Sequence, residues 1–117
     1  MAQVVALVDD IFFQAKILET ARHVGVEMKM VGTGDALVEE VANANPKLVI
    51  VDLNARQGAL EAIERLRAAG STAPLVAFLS HVQVDLAERA RAAGAQDVMP
   101  RSKFTQNLAS ILAQAKS

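Results

Sequence analysis

Three short apolar runs in this chain each stop on a polar residue suited to phosphate or metal. Val4 to Val8 stops at Asp9 and Asp10, Leu48 to Val51 at Asp52, and Leu75 to Leu79 at Ser80. A fourth, weaker run, Asp97-Val98-Met99-Pro100, stops at Arg101. Runs this short, rich in Val, Ile and Leu, read as strands buried on both faces of a parallel sheet. In such a sheet the carboxyl ends of the strands gather at one edge, and ligands bind there. Three carboxylates, a hydroxyl and a cation are therefore expected to converge, a set that suits Mg²⁺ and a phosphoryl group.

Helical segments fill the gaps between these runs. The first follows Asp10 and carries Ile17, Leu18 and Ala21 on its buried face; Gly25 ends it. At about 100° per residue, Phe12 then points nearly opposite that face and Phe13 lies on its flank. Val26 to Met30 alternates apolar and charged residues, the period of a half-exposed strand, which places it at an edge of the sheet with Met28 and Met30 turned to the core. Thr33 is placed to cap a second helix with Leu37, Val38 and Val41 inward, ended by Pro46. Ala55 to Gly58 reads as a loop. A third helix turns Ala59, Ala62, Ile63 and Leu66 inward, and a fourth Leu86, Ala90 and Ala93. Leu108, Ile111, Leu112 and Ala115 mark the last. The alternation predicts five strands and five helices in a single α/β domain over residues 1–117, a parallel sheet covered on both faces.

Composition narrows the function. Net charge is −1 with no block of like charges, so the chain lacks the basic footprint of a nucleic-acid or anionic-membrane binder. There is no Cys, which excludes disulfides and thiolate metal sites. No apolar run approaches the roughly 20 residues of a membrane span. The N-terminus meets two aspartates early and does not read as a secretory signal, so cytoplasmic residence is expected, with no second output domain attached.

The four strand ends together resemble a known family. Val4-Val5-Ala6-Leu7-Val8-Asp9-Asp10 is similar to the first strand and acidic pair of response-regulator receiver domains. Leu48 to Leu53 is similar to their phosphoacceptor strand, Ala73 to Ser80 to the strand ending in the switch hydroxyl, and Ala93 to Arg101 to the approach to the family's lysine. The resemblance covers essentially the whole chain, in the family's order. It implies a flavodoxin-like (βα)5 three-layer sandwich with strand order 2-1-3-4-5. It implies that Asp52 accepts a phosphoryl group from a histidine kinase or histidine phosphotransfer protein, and that Asp9, Asp10, Asp52 and the backbone carbonyl of Asn54 hold Mg²⁺. Ser80 would donate to the new phosphate and Arg101 would supply the cation. The signal would pass to a downstream protein by contact, from a monomer or weak homodimer. The protein would then be a phosphoacceptor signalling domain, not an enzyme, with autocatalysed phosphotransfer and dephosphorylation at most.

The chain departs from the family pattern at three places. The loop Leu53-Asn54-Ala55-Arg56-Gln57-Gly58 is about two residues short and lacks a proline. Arg101 stands in the lysine position, followed by Ser102 where a proline is usual, and Arg for Lys is not conservative at a tight site. A slide along the chain would offer Lys103 instead. Val98 replaces an aromatic found in many members.

Other readings stand beside these. Asp9 and Asp10 also suit helix capping, where acids favour the helix dipole. Ser80 is also an ordinary loop residue, and His81 a solvated loop histidine with proton shuttling as its alternative. Gly32-Thr33-Gly34 lacks the lysine of a phosphate loop and reads as a turn. Arg65, Arg67, Arg89 and Arg91, mixed with Glu61, Glu64 and Glu88, read as a solvated face. The alternative function is a pseudo-receiver, a binding module of the same fold that is not phosphorylated. A flavodoxin-type small-ligand binder would want stacking aromatics, and Tyr and Trp are absent.

Overall fold

The computed structural model describes residues 2–55, 58–80 and 83–116. Arg56 and Gln57 of the short loop, and His81, lie outside the described residues.

Strand β1 (Val4–Leu7) leads into helix α1 (Ile11–Val24), followed by β2 (Met28–Val31), α2 (Gly34–Ala44), β3 (Leu48–Asp52), α3 (Ala59–Ala68), β4 (Leu75–Leu79), α4 (Val84–Ala93), β5 (Asp97–Pro100), α5 (Arg101–Gln106) and α6 (Leu108–Ala113). All strand pairs are parallel and the sheet order is β2-β1-β3-β4-β5. This is the expected flavodoxin-like (βα)5 topology. The three central strands are buried along their whole length, which is why their sequences run apolar without alternation. β2 lies at one edge, as its charged Lys29 foretold, although it begins at Met28 and not at Val26.

Alternate residues of each central strand feed two separate cores. Val4, Ala6, Val8, Leu48, Ile50, Val76 and Phe78 pack under α1, α5 and α6. Val5, Leu7, Val49, Val51, Leu75, Ala77 and Leu79 pack under α2, α3 and α4. The period-two geometry of a strand makes this division.

The helices begin and end on local chemistry. Asp10 caps α1 by accepting from the backbone N–H groups of Phe12 and Phe13, and Thr33 caps α2 by accepting from Ala36. Gly25 ends α1 at φ 89°, a left-handed conformation that costs glycine nothing, and its N–H returns to the Ala21 carbonyl.

The structure corrects three expectations here. The buried stripe of α1 is Phe13, Ile17 and Ala21, spaced by four, so Phe13 is core and Leu18, about 100° past Ile17, is 41% exposed. The expected last helix is α6, and a sixth, short helix not expected, α5, precedes it; the two part at Asn107 (φ −107°, ψ 12°), whose side-chain amide donates to the Lys103 carbonyl at 2.9 Å. Asparagine competes for backbone partners in this way and is a poor helix-interior residue. Arg67 is not on a solvated face. Its guanidinium donates to the carbonyls of Gly94 (2.8 and 3.2 Å), Ser71 (3.0 Å) and Ala73 (2.9 Å), tying the end of α3 to the loops that enter β4 and β5.

Candidate functional site

The parallel topology delivers the predicted residues to one sheet edge. Asp9 and Asp10 follow β1, Asp52 ends β3, Ser80 follows β4, and Arg101 follows β5 at the first position of α5. Adjacent strands β1, β3 and β4 put the first three groups side by side, and β5 brings the arginine in from the flank.

Asp52 is the centre of this edge and is 3% exposed. Burial pushes its carboxyl above the usual range. The N–H of Asn54, which donates to Oδ1 at 2.9 Å, and the Arg101 guanidinium oppose that shift, while the charges of Asp9 and Asp10 add to it. Crowding of like charge is therefore secondary to desolvation as the strain on this acid. Asp10 differs. Hydrogen bonds from the Phe13 and Phe12 N–H groups, helped by Arg101, hold its carboxyl below the usual range. The capping reading of Asp10 is thus realised, and one carboxylate serves both the helix end and the site. Asp9 lies half-buried at the same edge.

Arg101 joins the acids. Its Nη1 is 3.4 Å from Asp10 Oδ2 and its Nη2 is 3.8 Å from Asp52 Oδ2. The guanidinium carbon sits 4.2 Å from the centroid of the Phe13 ring and 5.7 Å from that of Phe78, within cation–π range. Pro100 precedes it in extended conformation, and the described residues contain no cis peptide. Lys103, the alternative cation, is exposed on α5.

Ser80 turns to Asn54. Its hydroxyl lies 3.0 Å and its N–H 2.6 Å from Asn54 Oδ1, and the Asn54 amide donates to Gln83 Oε1 at 3.0 Å. The asparagine side chain therefore straps the loop after β3 to the loop after β4. Sequence reasoning assigned Asn54 only a backbone carbonyl and missed this strap. It also missed Phe13 as the seat of the arginine. A signal was available, since Phe13 stands four residues before Ile17 and three after the capping Asp10.

Carboxylate oxygens and a backbone carbonyl are the right donors for Mg²⁺. The arrangement does not present them as a metal site. Among the described residues no cluster of three or more His, Cys, Asp or Glu side chains is grouped to hold an ion. The inner carboxylates of Asp10 and Asp52 face the arginine fork.

The fold recurs widely among solved structures, whereas no protein-family model and no curated protein matches the sequence. The receiver domain of NtrX from Brucella abortus superposes with a TM-score of 0.81 at 17% identity, covering 96% of each chain. A DNA-binding response regulator of the LuxR family from Staphylococcus aureus gives a TM-score of 0.81 at 12% identity, covering 98% of each chain. The N-terminal domain of a response regulator/sensory box/GGDEF three-domain protein from Carboxydothermus hydrogenoformans gives 0.79 at 23% identity, over 96% of this chain and 91% of that one. With strand order, helix placement and near-complete coverage in agreement, the fold of this chain is the fold of response-regulator receiver domains.

Proposed function

We propose that this protein is a signalling receiver in which Asp52 accepts a phosphoryl group from a phosphohistidine protein and passes the change on by protein contact. One observation carries the reading: a buried carboxylate at the end of the central strand faces an arginine fork and is flanked by a hydroxyl on the neighbouring strand end. In the transfer, an Asp52 carboxylate oxygen forms a bond to phosphorus while the bond from phosphorus to the donor's imidazole nitrogen breaks. The nitrogen keeps the electron pair. Arg101 would stabilise charge on the phosphoryl oxygens, the role for which a planar fork is suited. Ser80 would leave Asn54 to donate to the new phosphate. Asp9, Asp10, Asp52 and the Asn54 carbonyl are the oxygen donors that would hold Mg²⁺, which would supply charge neutralisation when bound; with Asp10 and Asp52 facing Arg101, no step of this reading depends on it.

The donor surface in this reading is the start of α1. Phe12 is 88% exposed and Ile11 75%, beside the acidic edge. Exposed aromatics carry a large share of interface energy, and these two would anchor a phosphotransfer helix over Asp52. No helix among the described residues is long and apolar enough to cross a membrane, and residence in the cytoplasm is part of the proposal.

Incubation with acetyl phosphate and Mg²⁺, followed by intact mass measurement, tests the chemistry. One phosphoryl adduct is expected, absent in Asp52→Asn. A wild-type protein that takes no adduct favours the pseudo-receiver. Two contacts support that rival: Arg101 lies against both inner acids, and Ser80 is committed to Asn54.

A further inference from the structure

β2 leaves a row of backbone groups open at the edge of the sheet. It pairs with β1 on one side, Val4 with Met28 through Leu7 with Val31, and with no strand on the other. The Glu27 carbonyl accepts from the Val4 N–H at 3.1 Å and the Val31 carbonyl from the Val8 N–H at 3.2 Å. Odd-numbered residues therefore turn their N–H and C=O groups toward β1. Alternation along the strand turns those of Met28 and Met30 outward, and among the described residues nothing else pairs with them. The side chains divide too. Met28 and Met30 lean, half-buried, on the aromatic core, while Glu27 and Lys29 stand exposed on the side of the sheet that Val31 faces.

Two copies of one edge related by a two-fold axis through the sheet run antiparallel, each meeting the same surface on the other. The axis can fall at Glu27, Met28, Lys29 or Met30. At Glu27 it sets acid against acid, and at Lys29 lysine against lysine, both destabilising. At Met30 it sets Lys29 against Val31. Only an axis at Met28 sets Glu27 of each copy opposite Lys29 of the other. The same register lets the outward N–H and C=O groups of Met28 bond to their own counterparts. Glu27 and Lys29 then form the non-hydrogen-bonded pairs, in which side chains approach most closely. We propose that the β2 edge is a self-complementary docking strand for a second copy of this chain, with Met28 on the axis and Glu27 against Lys29 across it. Lysine on an edge strand commonly keeps other strands away; here the acid two positions earlier gives it a partner on an identical strand. A carboxylate accepts from more than one donor, so Glu27 can meet the second copy and keep contacts within its own. The pairs are exposed and one strand pair buries little area, so the dimer is weak and salt-sensitive. Met28 pairs with Val4, at the end of β1 away from Asp9 and Asp10, and the proposal holds whether or not Asp52 is ever phosphorylated.

Analytical ultracentrifugation of the full chain at rising concentration should show a monomer–dimer equilibrium that weakens as NaCl is raised. Glu27→Lys should weaken dimerisation about tenfold, through the lost pairs and the like charges that replace them, and Lys29→Glu should do the same. Glu27→Lys combined with Lys29→Glu should restore it to within about threefold of wild type. In the wild type, hydrogen exchange at the Met28 N–H should slow as concentration rises, while that of Lys29, turned toward β1, stays constant. Circular dichroism checks that each variant is folded; if one is not, the wild-type exchange still decides the matter. A chain that stays monomeric at every concentration overturns the proposal. So does a dimer indifferent to Glu27→Lys, a double variant no better than the single ones, or Met28 exchange that is independent of concentration.

Discussion

The two faces of the sheet are built from different materials. Under α1, α5 and α6 lie three aromatic rings, with Phe78 and Phe104 stacked at 4.5 Å between centroids and Phe13 edge-on to Phe78 at 5.3 Å. Under α2, α3 and α4 the core residues among the described ones are aliphatic, five of them alanine. The same parallel strands support both, so the difference comes from the helices and from what they must do. Small aliphatic residues let helices approach the sheet closely and serve packing alone. Rings provide broad, stiff surface and a face that attracts cations, and here one of them carries Arg101. The aromatic face is both core and floor of the candidate site; the aliphatic face is core only.

The largest expected effect comes from breaking the aromatic face. Phe104 is fully buried, and Phe104→Ala should cost about 3–5 kcal/mol in urea unfolding. It should also shift the NMR signals of Phe13 and Arg101, because the stack beneath them loses a ring. Ile63→Ala, at a fully buried position on the aliphatic face, should cost about 2–4 kcal/mol and leave those signals where they are. If both variants disturb Arg101 equally, the two faces are not separable in this way.

A smaller effect concerns the acid between the faces. Because burial raises the Asp52 pKa in the folded state, the folded protein holds that proton more tightly than the unfolded chain. Stability should therefore fall as pH rises from the ordinary carboxylate range through the raised value. Asp52→Asn should lack this fall. The two melting-temperature curves should meet at low pH and separate above it, with the asparagine variant the more stable. Asp10 contributes the opposite slope, its lowered pKa favouring the fold above the ordinary carboxylate range, and it is common to both proteins. An asparagine variant less stable at neutral pH would mean that the contact with Arg101 outweighs the burial of charge.

The smallest effect sharpens the contrast within a single helix. Phe12 and Phe13 are neighbours, 88% and 8% exposed. Phe12→Ala should change stability by no more than about 0.5 kcal/mol while weakening phosphotransfer from a protein donor and sparing transfer from acetyl phosphate. A loss of stability comparable to a core Phe→Ala would place Phe12 in the fold and not on a docking surface.

Much of this was legible in one dimension. Uninterrupted apolar strands, each ending in a polar residue, determined the parallel sheet and the edge at which Asp9, Asp10, Asp52, Ser80 and Arg101 meet, because strand direction alone decides which ends gather. The exposure of Phe12 followed from helical period. Some packing also leaves a trace: Phe13, Ile17 and Ala21 recur every four residues, so a stripe that includes the turn before Ile17 puts Phe13 inward and Leu18 outward. What only the tertiary structure decided are the choices among partners. Asp10 could have faced a metal or capped a helix, and it caps α1 while meeting Arg101. Ser80 could have turned to Asp52, and it turns to Asn54. Arg67 looked solvated beside glutamates, and it is spent on backbone carbonyls that the fold brings within reach. Arg101 found its ring from α1, 88 positions away in the chain. A polar side chain has several acceptable partners and carries no periodicity to announce which one it takes; only the distances imposed by the packed backbone select among them.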